Sequence, residues 1–383
     1  MNLESTYDFA IIGAGAAGMN LALSFANQPF FDCKRILILD SNIGKEVNKK
    51  WSFWQQEPFE YPGSIEKQWK FTQFKSENLE RRIALNDYTY YTIDASKFLN
   101  SAYQNLKMKP QFSFELSEVQ EIIQISSGIR IRTSSNEFVA SHVFDSRVPE
   151  DFFKEHKFTH LKQHFKGWIV ETEQAVFDDS SFTMMDFSVN YQNSCSFMYV
   201  LPFSANRALL EFTFFNSTLV REEVYDLAIQ NYLEENLECQ QYKIIETEQS
   251  VIPMSDYPFE KHHLPNVTLI GTAGGWVKPS TGYSFKSSMK FAEAMTQRII
   301  HNQPLNEVPW KKRGRWYDAI FLEVLRQENE SGSKLFETMY TRNSIDLIFR
   351  FLDEESNLID ELKIILSFPP IPFLKALFRV LFR

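Results

Sequence analysis

The chain has 383 residues, more than one compact domain usually needs, which predicts two domains or one domain with a large insertion. Its net charge of −9 argues against a general nucleic-acid-binding protein, because neutralising phosphates requires a basic surface. Three scattered cysteines without CxxC spacing argue against a disulfide framework and against a zinc site. Aromatic residues reach 15% of the chain, with 36 Phe among them, which favours apolar lining beyond the needs of a core.

The N-terminal segment "YDFAIIGAGAAG" carries a dinucleotide-binding pattern. A buried strand at residues 8–12 leads into Gly13, Gly15 and Gly18 in GxGxxG spacing and then into an apolar helix. The next buried strand, "KRILILDS", ends in Asp40, roughly twenty residues later. Such glycines let the backbone approach a pyrophosphate, the helix N-terminus favours its charge, and the acid takes the ribose hydroxyls. The pattern by itself fits FAD and NAD equally.

The following stretch predicts a helix, a meander and a returning strand. "IDASKFLNSAYQNL" is a helix capped by Asp94 or Ser96, and residues 109–145 alternate apolar and polar side chains as a half-exposed meander does. The strand "ASHVFDSRV" ends in Asp145 and resembles the second short signature of flavin monooxygenases. The alternative interpretation is a strand followed by a charged turn.

Residues 160–255 carry several strand patterns separated by turn residues, which predicts an antiparallel sheet inserted between two halves of a cofactor site. Glu211 lies in one of them, "ALLEFTFF", with apolar residues on both sides. Burial without a partner raises the pKa of a carboxyl and holds it protonated near neutral pH, as a general acid requires. The alternative is that Glu211 pairs with a lysine or arginine and only holds the sheet together.

A second glycine turn, "GTAGGWVKPSTGYSF", follows another short strand. Gly271, Gly274, Gly275 and Gly282 cluster where a helix from about Ser284 presents its N-terminus. FAD proteins of the glutathione-reductase type use such a late strand and turn to hold the middle of the cofactor. A flexible loop is the alternative, but together with the N-terminal pattern the turn favours FAD.

The chain becomes helical after residue 303 and ends in "FPPIPFLKALFRVLFR". If Pro372 opens a helix there, Lys375, Arg379 and Arg383 fall four apart on one face, opposite a stripe of Leu and Phe. A basic face opposite an apolar one is typical of a helix lying in a membrane interface. The alternative is a terminal helix docked on the protein's own core.

These patterns predict an α/β fold of the glutathione-reductase and hydroxybenzoate-hydroxylase type. Its Rossmann-type FAD-binding domain is expected in two parts, at residues 1–159 and 259–303. An antiparallel-sheet substrate domain is expected at residues 160–258 and a helical C-terminal region at 304–383, with a membrane-surface helix at 372–383.

With these elements in place, nearly the whole chain resembles the flavin-dependent lycopene cyclases of carotenoid biosynthesis. The motifs that carry the resemblance occur in order: "IIGAGAAG", "NKKWSFW", the segment at Asp145, "QHFKGWIVE", "YVLPFSANRALLEFT" and "GTAGGWVKPSTGY". Three positions depart from the family's pattern. "NKK" replaces Asp-Arg-x before Trp51, Phe212 replaces the second Glu of Phe-Leu-Glu-Glu-Thr, and Lys278 replaces a His before the Pro-Ser-Thr-Gly-Tyr run. These changes leave the reaction type intact and bear on substrate range and end-group choice.

The resemblance implies lycopene β-cyclase activity, an isomerisation that converts linear ψ end groups to β-ionone rings and yields γ-carotene or β-carotene. It implies Glu211 as the catalytic acid, reduced FAD as the cofactor and NAD(P)H as the reductant. Carbocation stabilisation by aromatic faces is worth on the order of 1–2 kcal/mol each when desolvated. The aromatic candidates for the substrate pocket are Trp51, Phe53, Trp54, Trp276 and Tyr283. The implied partners are lycopene and a membrane surface, with the protein peripheral on the cytoplasmic side.

Two other functions fit part of these patterns. A redox flavoprotein of the same fold, such as a monooxygenase or a polyene or isoprenoid reductase, explains the glycine turns equally well, and its product differs in mass from its substrate. A non-catalytic carotenoid carrier explains the aromatic content and the basic tail. In a carrier Glu211 has no chemical task.

Overall fold

The computed structural model describes residues 5–153, 155, 157–306 and 310–383. Its strands, numbered in chain order, are β1 (Ser5–Ile12), β2 (Ile36–Leu39), β3 (Lys50–Gln55), β4 (Ile65–Trp69), β5 (Phe71–Ser76), β6 (Leu79–Ala84), β7 (Thr89–Asp94), β8 (Phe112–Glu115), β9 (Val119–Ile125), β10 (Gly128–Thr133), β11 (Glu137–Asp145), β12 (His160–Thr172), β13 (Phe182–Asp186), β14 (Ser196–Ser204), β15 (Arg207–Asn216), β16 (Tyr242–Ser255) and β17 (Val267–Leu269). Its α-helices are α1 (Ala16–Ala26), α2 (Ala95–Lys107), α3 (Glu222–Asn231), α4 (Phe285–Ile300), α5 (Lys312–Gln327), α6 (Gly332–Arg342), α7 (Ile345–Leu352), α8 (Leu358–Ser367) and α9 (Pro370–Leu381).

The first sheet is the dinucleotide-binding sheet. Its order is β8-β2-β1-β11-β10-β9, and β17 pairs with β11. Neighbouring strands pair in parallel from β8 through β2, β1 and β11 to β17. Strands β9, β10 and β11 form an antiparallel meander. The residues of β2 are all buried, as expected for a parallel strand covered on both faces. Helices α1 and α4 pack against each other on this sheet.

The second sheet carries Glu211. Its order is β16-β12-β15-β14-β13-β5-β6, with antiparallel pairs except for the parallel contact of β13 with β5. Strand β15 is central and buried along nearly its whole length because α3 covers one face and the C-terminal helices cover the other. The sequence predicts the strands after residue 160, and the hairpin β5–β6 joins them from an earlier part of the chain.

A third, small sheet has the order β3-β7-β4 and is antiparallel. Its strand β7 leads directly into α2, where the Asp94 carboxylate accepts a hydrogen bond from the Lys97 backbone N–H at 2.9 Å. Asp94 is therefore the cap of that helix. The sheets and the helical region from α5 to α9 confirm the predicted fold class: a Rossmann-type domain, an inserted antiparallel sheet and a helical C-terminal part.

The last two helices leave most of their apolar side chains uncovered. In the described part of the chain, no single helix is long and apolar enough to cross a membrane. Helices α8 and α9 reach that length and composition only together, and they meet at an angle of 114°. Two consecutive prolines lie where α9 begins. Pro369 is the N-cap of α9, and Pro370 is its first residue, where the missing N–H costs nothing.

Candidate active site

The N-terminal glycines form a turn with one open position. Gly13 has a φ of +100°, and a Cβ there would lie 2.0 Å from the Ser146 Oγ. A Cβ on Gly18 would lie 1.9 Å from the Gly13 carbonyl oxygen, so the helix packs directly on the strand. Gly15 is exposed at the N-terminus of α1, and no heavy atom lies within 4 Å of its Cβ position. The turn is closed on two sides and open at Gly15, a shape that suits an anionic group beside a helix N-terminus.

The two predicted cofactor-binding acids lie near this turn in different surroundings. The Asp40 carboxylate follows β2 and accepts hydrogen bonds from the backbone N–H groups of Ala14 and Asn42, each at 2.8 Å. Asp145 ends β11, is buried, and has an oxygen 2.6 Å from the guanidinium of Arg147. Asp40 is therefore bound to the glycine turn itself, whereas the Asp145 carboxylate is bound by an arginine of its own turn.

The second glycine turn joins the dinucleotide-binding sheet to the second sheet. A Cβ on Gly271, the first glycine of this turn, would lie 3.0 Å from the Ala17 Cβ in α1. The second turn therefore packs directly against the N-terminal glycine turn and its helix. At the other end of the turn, a Cβ on Gly282 would lie 2.0 Å from the Gln163 Oε1 in β12. Helix α4 begins immediately after the turn, with Ser284 as its N-cap. The predicted glycines of this turn are Gly271, Gly274, Gly275 and Gly282.

A cavity of about 590 Å³ runs from this second turn to the C-terminal helices. Its walls are mostly aromatic and aliphatic, and its far end is formed by residues of α8 and α9. Polar side chains gather at the end near the glycine turn. They include Lys50, Ser52, Gln163, Tyr199, Glu211, Thr213 and Tyr283.

The five predicted pocket aromatics fall into two groups. Trp51, Trp54 and Tyr283 line the cavity. Phe53 lies between the two tryptophans in sequence, and it packs in the core beside α4, where its ring contacts that of Phe285. Trp276 is buried against Phe291 of α4 and also lies outside the cavity lining.

Glu211 lies in the middle of β15, opposite Gly167 of β12 on one side and Tyr199 of β14 on the other. Its carboxyl is buried and accepts a hydrogen bond from the Thr213 hydroxyl at 2.7 Å. Burial raises the pKa of Glu211, and the neighbouring Glu248 carboxyl raises it further, while the Thr213 hydrogen bond partly opposes them. Among the described residues, no lysine or arginine forms an ion pair with this carboxyl. The site therefore holds a carboxylic acid at the polar end of an apolar cavity.

Tyr199, which is paired with Glu211 across the sheet, belongs to a hydrogen-bonded group of three tyrosines. The Tyr90 hydroxyl lies 2.7 Å from the Tyr199 hydroxyl and 3.0 Å from that of Tyr283. Burial raises the pKa of each phenol well above its ordinary value, so all three remain neutral. Tyr90 and Tyr199 were not among the predicted site residues, because tyrosine is common in strands and nothing in either segment marks it as functional.

Glu248 is a second acid that the sequence interpretation missed. It lies opposite Gly167 in β16, so one glycine separates it from Glu211 across the sheet. Its carboxylate accepts a hydrogen bond from the Lys50 backbone N–H at 3.1 Å. Burial raises the pKa of Glu248, and the Lys50 N–H and charge oppose that rise. The "NKK" segment, where the chain departs from the family pattern, thus contacts the active-site sheet through Lys50.

Lys278, the third departure, is buried between two carboxylates. Its ammonium lies 2.9 Å from an Asp318 oxygen and 3.0 Å from a Glu354 oxygen, with the Trp310 ring centroid at 4.8 Å. Burial alone lowers the pKa of this lysine, but the two carboxylates outweigh it and raise that pKa. The triad therefore fastens the second glycine turn to α5 and to the segment after α7.

The tail helix is oriented differently from the membrane-helix prediction. Helix α9 begins at Pro370, and the guanidinium of Arg383 binds Asp256 and lies 3.0 Å from Glu323. Arg379 lies 3.6 Å from the same glutamate. These two arginines of the predicted basic face therefore pair with acids of the protein's own surface, and the membrane-surface helix stays a prediction. The opposite side is exposed and apolar: Leu374, Phe378, Leu381 and Phe382.

The fold and the site define a protein of the flavoprotein fold shared by oxidoreductases and halogenases. Similar solved structures include a geranylgeranyl bacteriochlorophyll reductase-like protein of Thermoplasma acidophilum, at a TM-score of 0.63 and 13% identity, covering 98% of this chain and 100% of that one. They also include the halogenase PltM in complex with phloroglucinol and FAD, at a TM-score of 0.55 and 12% identity, covering 94% and 82%.

Within that class, the chain belongs to the lycopene cyclase protein family, which it matches over residues 8–378. It is 24% identical to the lycopene beta-cyclase of Pantoea ananas over 406 aligned positions, covering 98% of both chains. It is also 27% identical to the chloroplastic neoxanthin synthase of Solanum tuberosum, over 78% of this chain and 61% of that protein.

Proposed function

We propose that this protein is a lycopene β-cyclase that binds FAD and closes ψ end groups of lycopene to β-ionone rings without net redox change. The observation that carries the proposal is Glu211, a buried carboxyl at the polar end of an apolar cavity that forms no ion pair with any described lysine or arginine. The cavity volume of about 590 Å³ lies in the usual range of ligand sites. Membership of the lycopene cyclase family supplies the substrate class.

The reaction needs an acid, stabilisation of a cation and a base. Glu211 donates its proton to the terminal alkene, forming a C–H bond and a tertiary carbocation. The neighbouring double bond then attacks that cation and closes the ring, and loss of a ring proton restores an alkene. Protons balance, because one enters and one leaves for each ring.

The residues around Glu211 suit a cationic intermediate. Trp51, Trp54 and Tyr283 line the cavity, and aromatic faces attract cations by on the order of 1–2 kcal/mol each when water is excluded. The Tyr90 hydroxyl forms hydrogen bonds with those of Tyr199 and Tyr283, so the three phenols are engaged with one another. A neutral carboxylic acid is a weak acid for an alkene, so this stabilisation is part of the mechanism.

The glycine turns are suited to FAD. The open Gly15 position at the start of α1 fits a pyrophosphate, and Asp40 at the end of β2 fits a ribose. The second turn lies between α1 and the polar end of the cavity, where the ring of the cofactor belongs. When bound and reduced with electrons from NAD(P)H, FAD would supply negative charge at this end of the cavity.

The Gly15→Ala variant tests this assignment. Its Cβ meets no protein atom, so we expect the thermal unfolding of the flavin-free protein to remain unchanged. The same methyl group would occupy the space next to the pyrophosphate and raise the dissociation constant for FAD by about tenfold or more, or ~1.4 kcal/mol. Flavin fluorescence titration measures the effect, with Gly63→Ala, another open position, as the matched control. Equal FAD affinity in both variants would argue against a pyrophosphate at Gly15.

We also propose that the protein is peripheral on the cytoplasmic side of a membrane and that α8 and α9 contact the lipid. The far end of the cavity is formed by these two helices, and their outer residues are exposed and apolar. A carotene dissolves in the acyl region and not in water. An apolar surface around the cavity end lets it enter without crossing the aqueous phase.

Replacing two phenylalanines tests this contact. Phe378 and Phe382 are exposed and do not line the cavity. We expect the double variant Phe378→Ser/Phe382→Ser to bind liposomes about tenfold more weakly or worse, because the buried apolar area falls. Leu227→Ser, at an exposed position of α3, is the control in the same sedimentation assay. Unchanged binding by the double variant would assign the membrane contact to another surface.

A direct assay separates the cyclase from the two other functions. Purified protein is given lycopene in liposomes with FAD, without oxygen, with and without NADPH, and the pigments are analysed by chromatography with mass detection. We expect a cyclic product of unchanged mass and a need for only catalytic amounts of reductant. A changed mass would identify a redox flavoprotein, and unaltered lycopene held by the protein would identify a carrier.

A further inference from the structure

Gly167 separates two acids on one face of the second sheet. It pairs with Glu211 in β15 and with Glu248 in β16, and residues paired directly across neighbouring strands point to the same side of a sheet. A Cβ built on Gly167 would lie 3.3 Å from the Glu248 Cγ and 3.5 Å from the Glu211 Cβ. The position between the two carboxyls is therefore the one without a side chain.

The two carboxyls have different partners. Glu248 accepts a backbone N–H from Lys50, which favours its ionised form. Glu211 has the Thr213 hydroxyl, and the groups on its other sides are the neutral phenols of Tyr199 and Tyr283. A proton shared by two neighbouring carboxyls resides on the carboxyl whose hydrogen-bond donors stabilise its ionised form less.

The other charged groups near the pair either form ion pairs with other residues or act on the pKa of Glu248. The Lys50 ammonium lies 3.1 Å from Asp94 and 3.9 Å from Glu66, so its charge is divided between these two acids and also acts on Glu248. Lys50 and Lys49 lower the pKa of Glu248, and Glu246 raises it, after the larger effect of burial.

We propose that Glu211 and Glu248 form one carboxyl pair that holds a single proton, and that Glu248 is the ionised positioning residue that keeps this proton on Glu211. This inference rests on the proposed function, because Glu211 is the acid of that reaction. Glu248 does not line the cavity and acts through its neighbour.

The pair balances the protons of the cyclisation. The O–H bond of Glu211 breaks as the alkene C–H bond forms, and two carboxylates then lie on the same side of the cation. Their mutual repulsion favours return of a proton, so the ring C–H bond breaks and the O–H bond of Glu211 forms again. No oxidant or reductant is consumed in these steps.

The Glu248→Gln variant gives the test. The amide removes the negative charge, so Glu211 loses its proton at lower pH. We expect the alkaline fall of the cyclisation rate to move down by about one pH unit, with the rate at the acidic plateau kept within about threefold. Glu248→Asp, which keeps the charge, should retain the wild-type profile. Glu171→Gln, at an exposed position of β12, is the matched control. A rate lowered equally at every pH would overturn the proposal.

Infrared titration of the holoenzyme tests the pair without turnover. The C=O band of a protonated carboxyl that disappears in Glu211→Gln belongs to Glu211. We expect this band to vanish at lower pH in Glu248→Gln than in the wild type. A band with the same midpoint in both proteins would overturn the pairing even if cyclisation is observed, and a shifted midpoint without cyclisation would refute only the proposed function.

Discussion

Replacing Glu211 by Gln is expected to reduce cyclisation of lycopene by about 10²–10⁴-fold, the usual contribution of a general acid. The amide has the same shape and can still accept the Thr213 hydrogen bond, so the sheet should remain intact. What it lacks is the proton that the alkene takes. The residual rate should not depend on pH, because no titratable group remains to restore the acid, so the loss is largest at acidic pH, where Glu211 of the wild type is protonated.

The assay measures initial rates of ring formation in liposomes, with FAD content and thermal unfolding recorded for each variant. Glu171→Gln is the control, because this residue lies on the neighbouring strand β12 and is exposed. The wild-type rate is expected to fall as pH rises through the pKa of Glu211, which burial and Glu248 hold above the ordinary carboxyl range. A Glu211→Gln variant with wild-type activity would leave this acid without a chemical role and favour the carrier.

Replacing Lys278 by Met is expected to produce the largest loss of stability, about 3–5 kcal/mol in the free energy of unfolding. The ammonium is the counter-charge of both Asp318 and Glu354, and all three side chains are buried. Without it, two carboxylates remain in an apolar region and repel each other. Because Lys278 lies in the second glycine turn, FAD binding should weaken as well.

Two variants separate the charge effect from packing. Lys363→Met removes an exposed lysine that pairs with Asp360 and should cost less than about 1 kcal/mol. The triple variant Lys278→Met/Asp318→Asn/Glu354→Gln removes all three charges and should recover a large part of the lost stability. Urea unfolding followed by tryptophan fluorescence measures each protein. A Lys278→Met variant as stable as Lys363→Met would mean that the carboxylates find other partners.

The parts of this protein that could be predicted from sequence are those in which neighbouring residues determine the geometry. Gly13, Gly15 and Gly18 lie in one turn between a strand and a helix, and their spacing alone indicates the turn. The antiparallel sheet was predicted because its strands alternate or run apolar for several residues. Glu211 stood out as an acid within such a run.

The rest depends on which strands become neighbours. Glu248 comes close to Glu211 only through the register of β16 against β12, and Tyr90 reaches Tyr199 from a different sheet. No local pattern encodes these distances. The strands β5 and β6 joined the second sheet from a distant part of the chain for the same reason.

The tail illustrates a second limit. Its amphipathic pattern was visible in the sequence, but not which side faces the protein. Glu323 and Asp256 decide this, because they bind Arg383 and turn the apolar side of α9 outward. Amphipathicity predicts that the helix has two faces, and the acids that pair with the arginines determine which face contacts the protein.

The most direct test of the cyclase mechanism is the reaction in D₂O. Lycopene in liposomes is converted by the FAD-loaded protein under anaerobic conditions, and the mass of the product is measured. With the protein equilibrated in D₂O and in excess over the end groups of lycopene, we predict one deuterium for each ring formed, since the deuteron of Glu211 enters the end group and one carbon-bound proton leaves it, while the product made in H₂O has the mass of lycopene. A cyclic product without deuterium, or a product whose mass in H₂O differs from that of lycopene, would contradict protonation by Glu211 as the step that begins ring closure.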